Sequence, residues 1–468
     1  MMRDIFSRKV AGVIAILAAD VDAFWRLPCS SPVMVERADP IMDPGVISTH
    51  AHTVMGSNLF NFSMTYVNTQ TATCSTCKIK QDQSSYWVPT LYYHAENGSF
   101  ISRQDEKDPE FNQGLIPFPK DFRMIAGNPM NRNLSNSIEQ SAVSFVCLGI
   151  TEPATPELPR HNCPNGLRTQ LIFPSCWNGK DLDTPDHKSH MAYPTGTDSG
   201  ACPSAHPKRF ITIFYEVTWD IDDFKDSWYG NKQPFVFSHG DPDGHGYHGD
   251  FLNGWDVDVL QKAITVCTDD SGAIEKCGVF DLRTDEDMAA CKVLPRVKED
   301  VADGVLAALP GCNPIQAGPE EAALYQNCGA VNEIGNPVLP FTDMSQTLKW
   351  GYIGCVKDPA GQSRTLDGAQ QDKPDMTVDA CIKYCDDAGY TYSGLEYKTQ
   401  CFCGNSIAAE RMPANGTMGR CEYNYGGNAK QICGGYGQAS VYQKCGSDSC
   451  QNANLKSEFW NAHMLKVA

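Results

Sequence analysis

Seven of the chain's eleven histidines stand in three short groups beside carboxylates. His50-Ala-His52 follows Arg37-Ala-Asp-Pro. Cys176-Trp-Asn-Gly leads into Asp181, Asp183, Asp186, His187 and His190. The run His239–Asp256 packs His239, His245 and His248, four aspartates and five glycines into eighteen residues. Neutral imidazoles beside a carboxylate suit zinc, copper or iron. Paired carboxylates suit glycoside hydrolysis. His50, His52, His187, His190, His239, His245 and His248 are therefore the candidate ligands of a divalent metal, and Asp250, Glu216 and Asp186 the candidate catalytic carboxylates. An ion takes only about three or four ligands, so the remaining groups would orient those ligands or touch substrate. A buried polar group without a partner costs roughly 1–3 kcal/mol. The histidines and Asp250 are accordingly expected to share one solvent-filled cleft. The competing reading is a hydrogen-bonded structural network in which the aspartates cap loop amides.

Positioning these residues falls to strands. Phe235–Ser238 reads as a short buried strand feeding a glycine-freed loop. In Arg209–Trp219 the alternation puts Ile211, Ile213, Tyr215, Val217 and Trp219 on one face and Glu216 on the other. Tyr86–Tyr93 and Ala142–Leu148 read similarly. His-x-His on a strand sets both imidazoles on one face, about 7 Å apart. Spaced strands between Pro, Gly and Asn clusters predict a mainly β fold, a β-sandwich or jelly-roll-like domain. Helical signal is confined to Thr284–Leu294 and Glu299–Leu309 in this part of the chain.

Composition bounds the rest. The 468 residues exceed one ordinary domain. A net charge of −18 excludes nucleic acid and anionic membranes as partners. Arg3, Arg8 and Lys9 before the apolar run Val10–Ala19 predict a secretory signal peptide over residues 1–23. That run is too short to span a bilayer, and no later stretch serves as a transmembrane segment. Twenty-one cysteines fit an oxidising compartment, and the odd number leaves one without a partner in the chain. Cys74 and Cys77 form a lone CxxC, better read as disulfide partners than as zinc ligands. The sequons at Asn61, Asn97, Asn133 and Asn415 predict a glycoprotein.

Further along, Trp350-Gly-Tyr-Ile-Gly-Cys355, Met376-Thr-Val-Asp-Ala-Cys381-Ile-Lys-Tyr-Cys385, Cys401-Phe-Cys403-Gly-Asn and Cys433-Gly-Gly resemble a WSC domain, the cysteine-rich carbohydrate-binding module of fungal wall proteins. The resemblance implies a small α/β module that binds wall polysaccharide, β-glucan foremost. Tyr390, Tyr392, Tyr397 and Phe402 are its candidate sugar-stacking residues, with Trp255 a further candidate in the first domain. Met376-Thr-Val-Asp resembles a capped helix start. Tyr425 stands where the family has a cysteine. One family cysteine is therefore free or pairs with Cys445 or Cys450. Upstream, Phe24-Trp-Arg-Leu-Pro-Cys29, Arg37-Ala-Asp-Pro, His50-Ala-His52, His187-Lys-Ser-His190 and His248-Gly-Asp-Phe-Leu-Asn-Gly-Trp255 resemble a fungal domain-of-unknown-function family commonly fused to WSC domains. The organisation expected is a signal peptide (1–23), a β-rich domain with the His/Asp cluster (24–328), a linker (329–349), the WSC domain (350–444) and a tail (445–468). The function expected is that of a secreted protein of the cell wall or extracellular space. It would bind wall polysaccharide and act on it at a hydrolytic or metal-assisted site. A non-catalytic wall-binding or adhesive protein, or a glycan-masking effector, is the alternative.

Overall fold

The structure, a computed structural model, describes residues 24–452 apart from 96–99, 103–109, 113–115, 231–232, 270, 300, 302–304, 324–330, 332, 336–340, 360, 362, 413–420, 422, 424, 429–430, 436 and 447–449. The leader and the sequons at Asn97 and Asn415 lie outside the described residues, and Cys328 does too. Of the other sequons, Asn61 is half-buried and Asn133 exposed. No described helix is long and apolar enough to cross a membrane.

The chain is mostly β, as its alternation predicts: 27% strand against 13% helix. Two five-stranded antiparallel sheets form the body of the first region. One runs in the order Met34–Glu36, His52–Gly56, Ser85–Pro89, His248–Leu252, Arg123–Gly127. The other runs Phe24–Arg26, Glu110–Asn112, Thr212–Trp219, Leu167–Ile172, Val143–Cys147. The main core lies between them. Met55, Tyr86, Val88, Met124 and Phe251 from the first sheet meet Leu171, Ile213, Tyr215 and Val217 from the second. Side chains alternate across a strand, and this decides where the chemistry goes. Phe251 points into the sandwich. Gly249 lies flat there, where an added Cβ would sit 2.8 Å from Leu171 and 3.1 Å from Tyr215. His248, Asp250 and Leu252 must then point out of the sandwich, over a second core of Val33, Val54, Trp87, Ile125 and Leu252.

Smaller readings divide. Phe235–Phe237 is the expected buried strand, but the run from Tyr86 breaks at Thr90 into Ser85–Pro89 and Leu91–His94, which join different sheets. The helix near 284 is short, Asp285–Ala289, capped by Thr284. No helix spans 299–309 among the described residues. Val305–Leu306 instead pairs with Phe100–Ile101, and Leu306 and Leu309 bury against Tyr92 and Val236. A strand partner and a place in the core override the local helical pattern. The longest helix of this region, Val257–Val266, stood unread in the sequence. Asp256 caps it by accepting from the amides of Asp258 and Val259.

Cysteines pair as disulfides: Cys29–Cys77, Cys74–Cys291, Cys147–Cys163, Cys176–Cys202 and Cys267–Cys277. Cys74 and Cys77 thus serve two different bridges. Farther on, a third five-stranded sheet has the order Trp350–Lys357, Gln438–Lys444, Tyr392–Glu396, Gln400–Gly404, Gln370–Asp372. The helix Val378–Asp387, capped by Thr377, packs on it. Cys381 and Cys385 share one helix face at i, i+4, and Cys401 and Cys403 one strand face at i, i+2. The bonds Cys381–Cys401 and Cys385–Cys403 therefore fasten helix to sheet. Cys355 bonds Cys421, Cys445 bonds Cys450, and the buried Cys433 is free.

Candidate functional site

Three separate stretches deliver histidines to one place. His52 opens its strand, and His50 lies just before it in a bend. That bend turns the His50 ring back, so the two ring centroids are 4.3 Å apart rather than a strand repeat. His248 opens the strand His248–Leu252, and Asp250 follows on the same face, between Trp87 and Ile125 of the neighbouring strands. His239 comes from the loop after Phe235–Phe237. Asp241 organises that loop by accepting from the amides of Asp243, Gly244 and Gly246 at 3.0, 3.0 and 2.6 Å. Burial pushes its carboxyl upward, but the His239 side chain, the Arg132 charge and the Gly246 amide hold it below the usual value. Gly246 has no room for a side chain: a Cβ there would lie 2.6 Å from Arg132 Nη1 and 2.8 Å from His239 Nε2.

The assembled cluster is tight. His50 Nε2 and His248 Nε2 are 3.1 Å apart. The His239 ring centroid lies 5.5 Å from that of His50 and 5.0 Å from that of His248. Ligand atoms of His50, His239 and His248 all lie within 4.8 Å of one another, and so do those of His52, His248 and Asp250. Every one of these residues is buried. Among the described residues, His52 Nε2, both ring nitrogens of His239 and Asp250 Oδ2 have no hydrogen-bond partner. His239 Nε2 approaches Asp241 only to 3.8 Å, beyond hydrogen-bond reach. Burial drives His52 and His239 down to about 4. Burial, then the neighbouring rings, drives His50 and His248 well below the ordinary value. Burial, then Asp39, raises the Asp250 carboxyl far above it.

His50, His239, His248 and Asp250 line a cavity of about 280 Å³. Asp39, Asp43 and Arg132 add polar walls, and Met42, Ile125 and Met130 apolar ones. The Asp39 carboxyl accepts from the amides of Ile41 and Met42, and burial raises it. The Arg37-Ala-Asp-Pro signature contained this residue, though it was not among the site candidates. Arg132 carried no sequence signal. It is held by the carbonyls of Pro129, Asn131, His239 and Gln316.

The other candidates stand elsewhere. His187 pairs with Asp183 at 2.6 Å, and His190 Nε2 reaches the Arg123 carbonyl at 2.8 Å. Together with the bonds from Arg123 and Ile125 amides to Leu182 and His187 carbonyls, they dock the 182–190 loop on the sheet edge. Asp186 is exposed and caps that loop. The Ser189 amide foremost holds its carboxyl below the usual range. His245 meets Glu157 at 3.2 Å. Glu216, on the other sheet, accepts from Gln170 at 2.7 Å and pairs with Arg168 at 3.1 Å. None of these lines the cavity. Trp255 is fully buried against Phe280. In the second region Phe402 is buried under the Arg364 guanidinium, 4.2 Å from its ring centre. Tyr390 and Tyr392 are half-buried against the core. Tyr397 is 53% exposed, at a turn where it and Lys398 both take positive φ, 49° and 71°. Its ring lies 6.0 Å from that of Tyr423.

With this geometry in hand, the relatives are informative. A protein of Chaetomium globosum named for a fungistatic metabolite is 33% identical over 137 residues, 27% of this chain and 60% of its own length. A WSC domain-containing protein of Arthroderma benhamiae is 31% identical over 148 residues, 28% of this chain and 16% of its own. Mouse Kremen protein 2 is 35% identical over 102 residues, 22% of this chain and 21% of its own. The chain thus spans less than two thirds of each of these relatives. Residues 39–255, which hold every histidine of the cavity, match the family described as "Domain of unknown function (DUF1996)". Residues 352–435 match the WSC domain, which includes the helix and the two bridges that fasten it. The chain therefore carries a DUF1996 domain followed by a WSC domain.

Proposed function

We propose that this is a secreted protein of the cell wall or extracellular space that binds polysaccharide through its WSC domain, β-glucan foremost. On this reading the DUF1996 domain hydrolyses the same polymer at the histidine cavity. One observation carries the reading: a cavity of about 280 Å³ gathers three imidazoles and Asp250, in a chain that also holds a carbohydrate-binding domain. A concave site with a few convergent polar groups on apolar walls is the usual form of a small-ligand site. Asp250 is the sequence-predicted carboxylate that lines it, and Asp39 and Asp43 stand with it for the acid–base work. Nine disulfides among the described residues support export to an oxidising compartment. Export would remove the leader and glycosylate the exposed Asn133.

The test is retention of the full chain on insoluble β-glucan, xylan and chitin, with release of reducing ends followed on each. Retention on β-glucan with release is expected. Tyr397→Ala should weaken retention about tenfold, the effect of one aromatic stacking surface. Retention without release on any polymer would sink the hydrolytic reading and favour an adhesive protein. Absence of retention on all three would sink the glycan reading.

A further inference from the structure

The hydrogen bonds around the cluster fix which ring nitrogens carry protons. A backbone carbonyl only accepts. His52 Nδ1 lies 3.1 Å from the Ala38 carbonyl and His248 Nδ1 lies 2.8 Å from that of Gly246, so both Nδ1 atoms carry hydrogen. In neutral rings that leaves a lone pair on each Nε2. The His248 lone pair faces His50 Nε2 at 3.1 Å, and the His52 lone pair faces no donor. His239 has no hydrogen-bond partner on either nitrogen, its Nε2 standing 3.8 Å from Asp241, and Asp250 Oδ2 has none. His50 Nδ1 lies 3.1 Å from the Thr49 hydroxyl, so its remaining hydrogen can reach only His248. The site thus collects more lone pairs than it has hydrogens to share. Each acceptor left so in the interior costs roughly 1–3 kcal/mol. A cation would satisfy them together. An imidazole tethered through Nδ1–H to a carbonyl is also how proteins orient a metal ligand.

We propose that His50, His239 and His248 bind one divalent transition-metal ion of the zinc class, with the fourth position open to the cavity. Zinc–nitrogen bonds of about 2.0–2.1 Å set tetrahedral nitrogens roughly 3.3–3.4 Å apart. His50 and His248 already stand near that spacing, and His239 lies within 4.8 Å of both. Three imidazoles suit zinc, copper, iron or nickel rather than magnesium or calcium, and three protein ligands with an open position mark a reactive rather than a structural zinc site. His52 and Asp250 stand beside the ion, within reach of the His248 side of the centre. His187, His190 and His245 are committed to other partners and take no part. Binding stands on this geometry alone. Only the ion's role as Lewis acid for the hydrolysis rests on the function proposed above.

The experiment uses the full secreted chain, stripped with a chelator, dialysed, and titrated with cobalt(II) chloride and then zinc chloride. One equivalent should bind, with the visible absorption of low-symmetry cobalt, which zinc abolishes. X-ray absorption of the zinc-loaded protein should count three imidazole ligands, a readout that needs no variant to fold. His239→Gln should weaken zinc binding at least about 100-fold, more than the loss of an outer partner does, whereas His187→Gln should leave it unchanged. Absence of cobalt bands and of retained zinc would overturn the site, and equal losses in His239→Gln and His187→Gln would do the same. The two proposals fail separately. A stoichiometric ion with no polysaccharide cleavage sinks the hydrolytic reading and keeps the site. Cleavage that persists in the stripped protein, with no ion bound on titration, sinks the site and keeps the hydrolysis.

Discussion

The DUF1996 and WSC domains bury their polar and sulfur chemistry in opposite ways. Among the described residues, the first has a main core of forty-two buried residues, of which six are cysteines. The second has a main core of fifteen, of which five are cysteines. A large core tolerates a pocket of buried imidazoles on its far side, because the sandwich beneath is already stable without it. A small core has no such surplus and relies on covalent bonds. The WSC cysteines are therefore structural. Cys381, Cys385 and Cys401 lie as close as metal ligands would, yet all three are in disulfides.

The largest test of this contrast removes one disulfide from each domain. Cys381→Ser with Cys401→Ser opens a separation of 20 residues, and Cys147→Ser with Cys163→Ser one of 16. Chain entropy assigns each about 3 kcal/mol. In the WSC domain that should exceed the margin, and the helix Val378–Asp387 should lose its amide protection in hydrogen exchange. In the first domain the strand His248–Leu252 should keep its protection. Equal loss of protection in both would remove the contrast.

The next effect is smaller and depends on pH. In the WSC domain Glu396 and Asp358 share one cation, Arg364, at 2.5 and 2.8 Å, and the Gly437 amide also donates to Glu396. Burial first, then Asp358, raises the Glu396 carboxyl to about 7, against the pull of Arg364. A carboxyl raised on folding holds a proton that the unfolded chain has released. Its contribution is full below the ordinary 4.5 and is lost as pH rises through about 7. One pKa unit corresponds to about 1.4 kcal/mol, so on the order of 2 kcal/mol should disappear between pH 5 and pH 8. Melts of the WSC transition should fall by several degrees over that range, and Glu396→Gln should flatten the slope. An unchanged slope in the variant would assign the dependence to another group.

The two regions were also unequally legible in the sequence. The strand Thr212–Trp219 showed its buried face through alternation alone, with Ile213, Tyr215, Val217 and Trp219 in the core. His248 and Asp250 read as i, i+2 neighbours in a glycine-freed loop, whereas His248–Leu252 is a strand that sets both on one face. That this face lies outside the sandwich could not be read, since it depends on which side Phe251 finds its sheet. The histidines of 187–190 resemble those of the cavity in type and spacing, but backbone bonds at a sheet edge fix them there, and no local pattern announces those. The helix Val257–Val266 is rich in β-branched residues, which are weak helix formers, and its capping Asp256 read as one more loop aspartate. In the WSC domain the cysteine motifs were legible through their resemblance to a known family, while the pairing of helix to sheet was not, because it depends on which strand the helix packs against.

The smallest effect concerns the one WSC cysteine without a partner. Cys433 is fully buried, and burial pushes its thiol up to about 11. Tyr425, 2% exposed, occupies the same core. The Cys433 amide donates to the Tyr423 carbonyl and the Tyr425 amide to that of Gln431, so the two stretches run as a ladder with the thiol on it. Tyr425→Cys would place a second sulfur beside the first and close a loop of about eight residues, roughly 2.5 kcal/mol of chain entropy. Losing the tyrosine from the core costs about as much, so stability should change by no more than about 1 kcal/mol. The chemical readout is sharper than the thermal one. The native protein should hold a thiol that resists disulfide reagents at pH 8 and reacts once denatured, because a buried thiol near 11 carries almost no thiolate. In Tyr425→Cys that thiol should vanish. A variant that gains a second thiol would mean that Tyr425 does not stand in for a bridging cysteine. A native thiol that reacts at once would mean that this core is open, and the contrast with the larger domain would then be one of packing rather than of covalent chemistry.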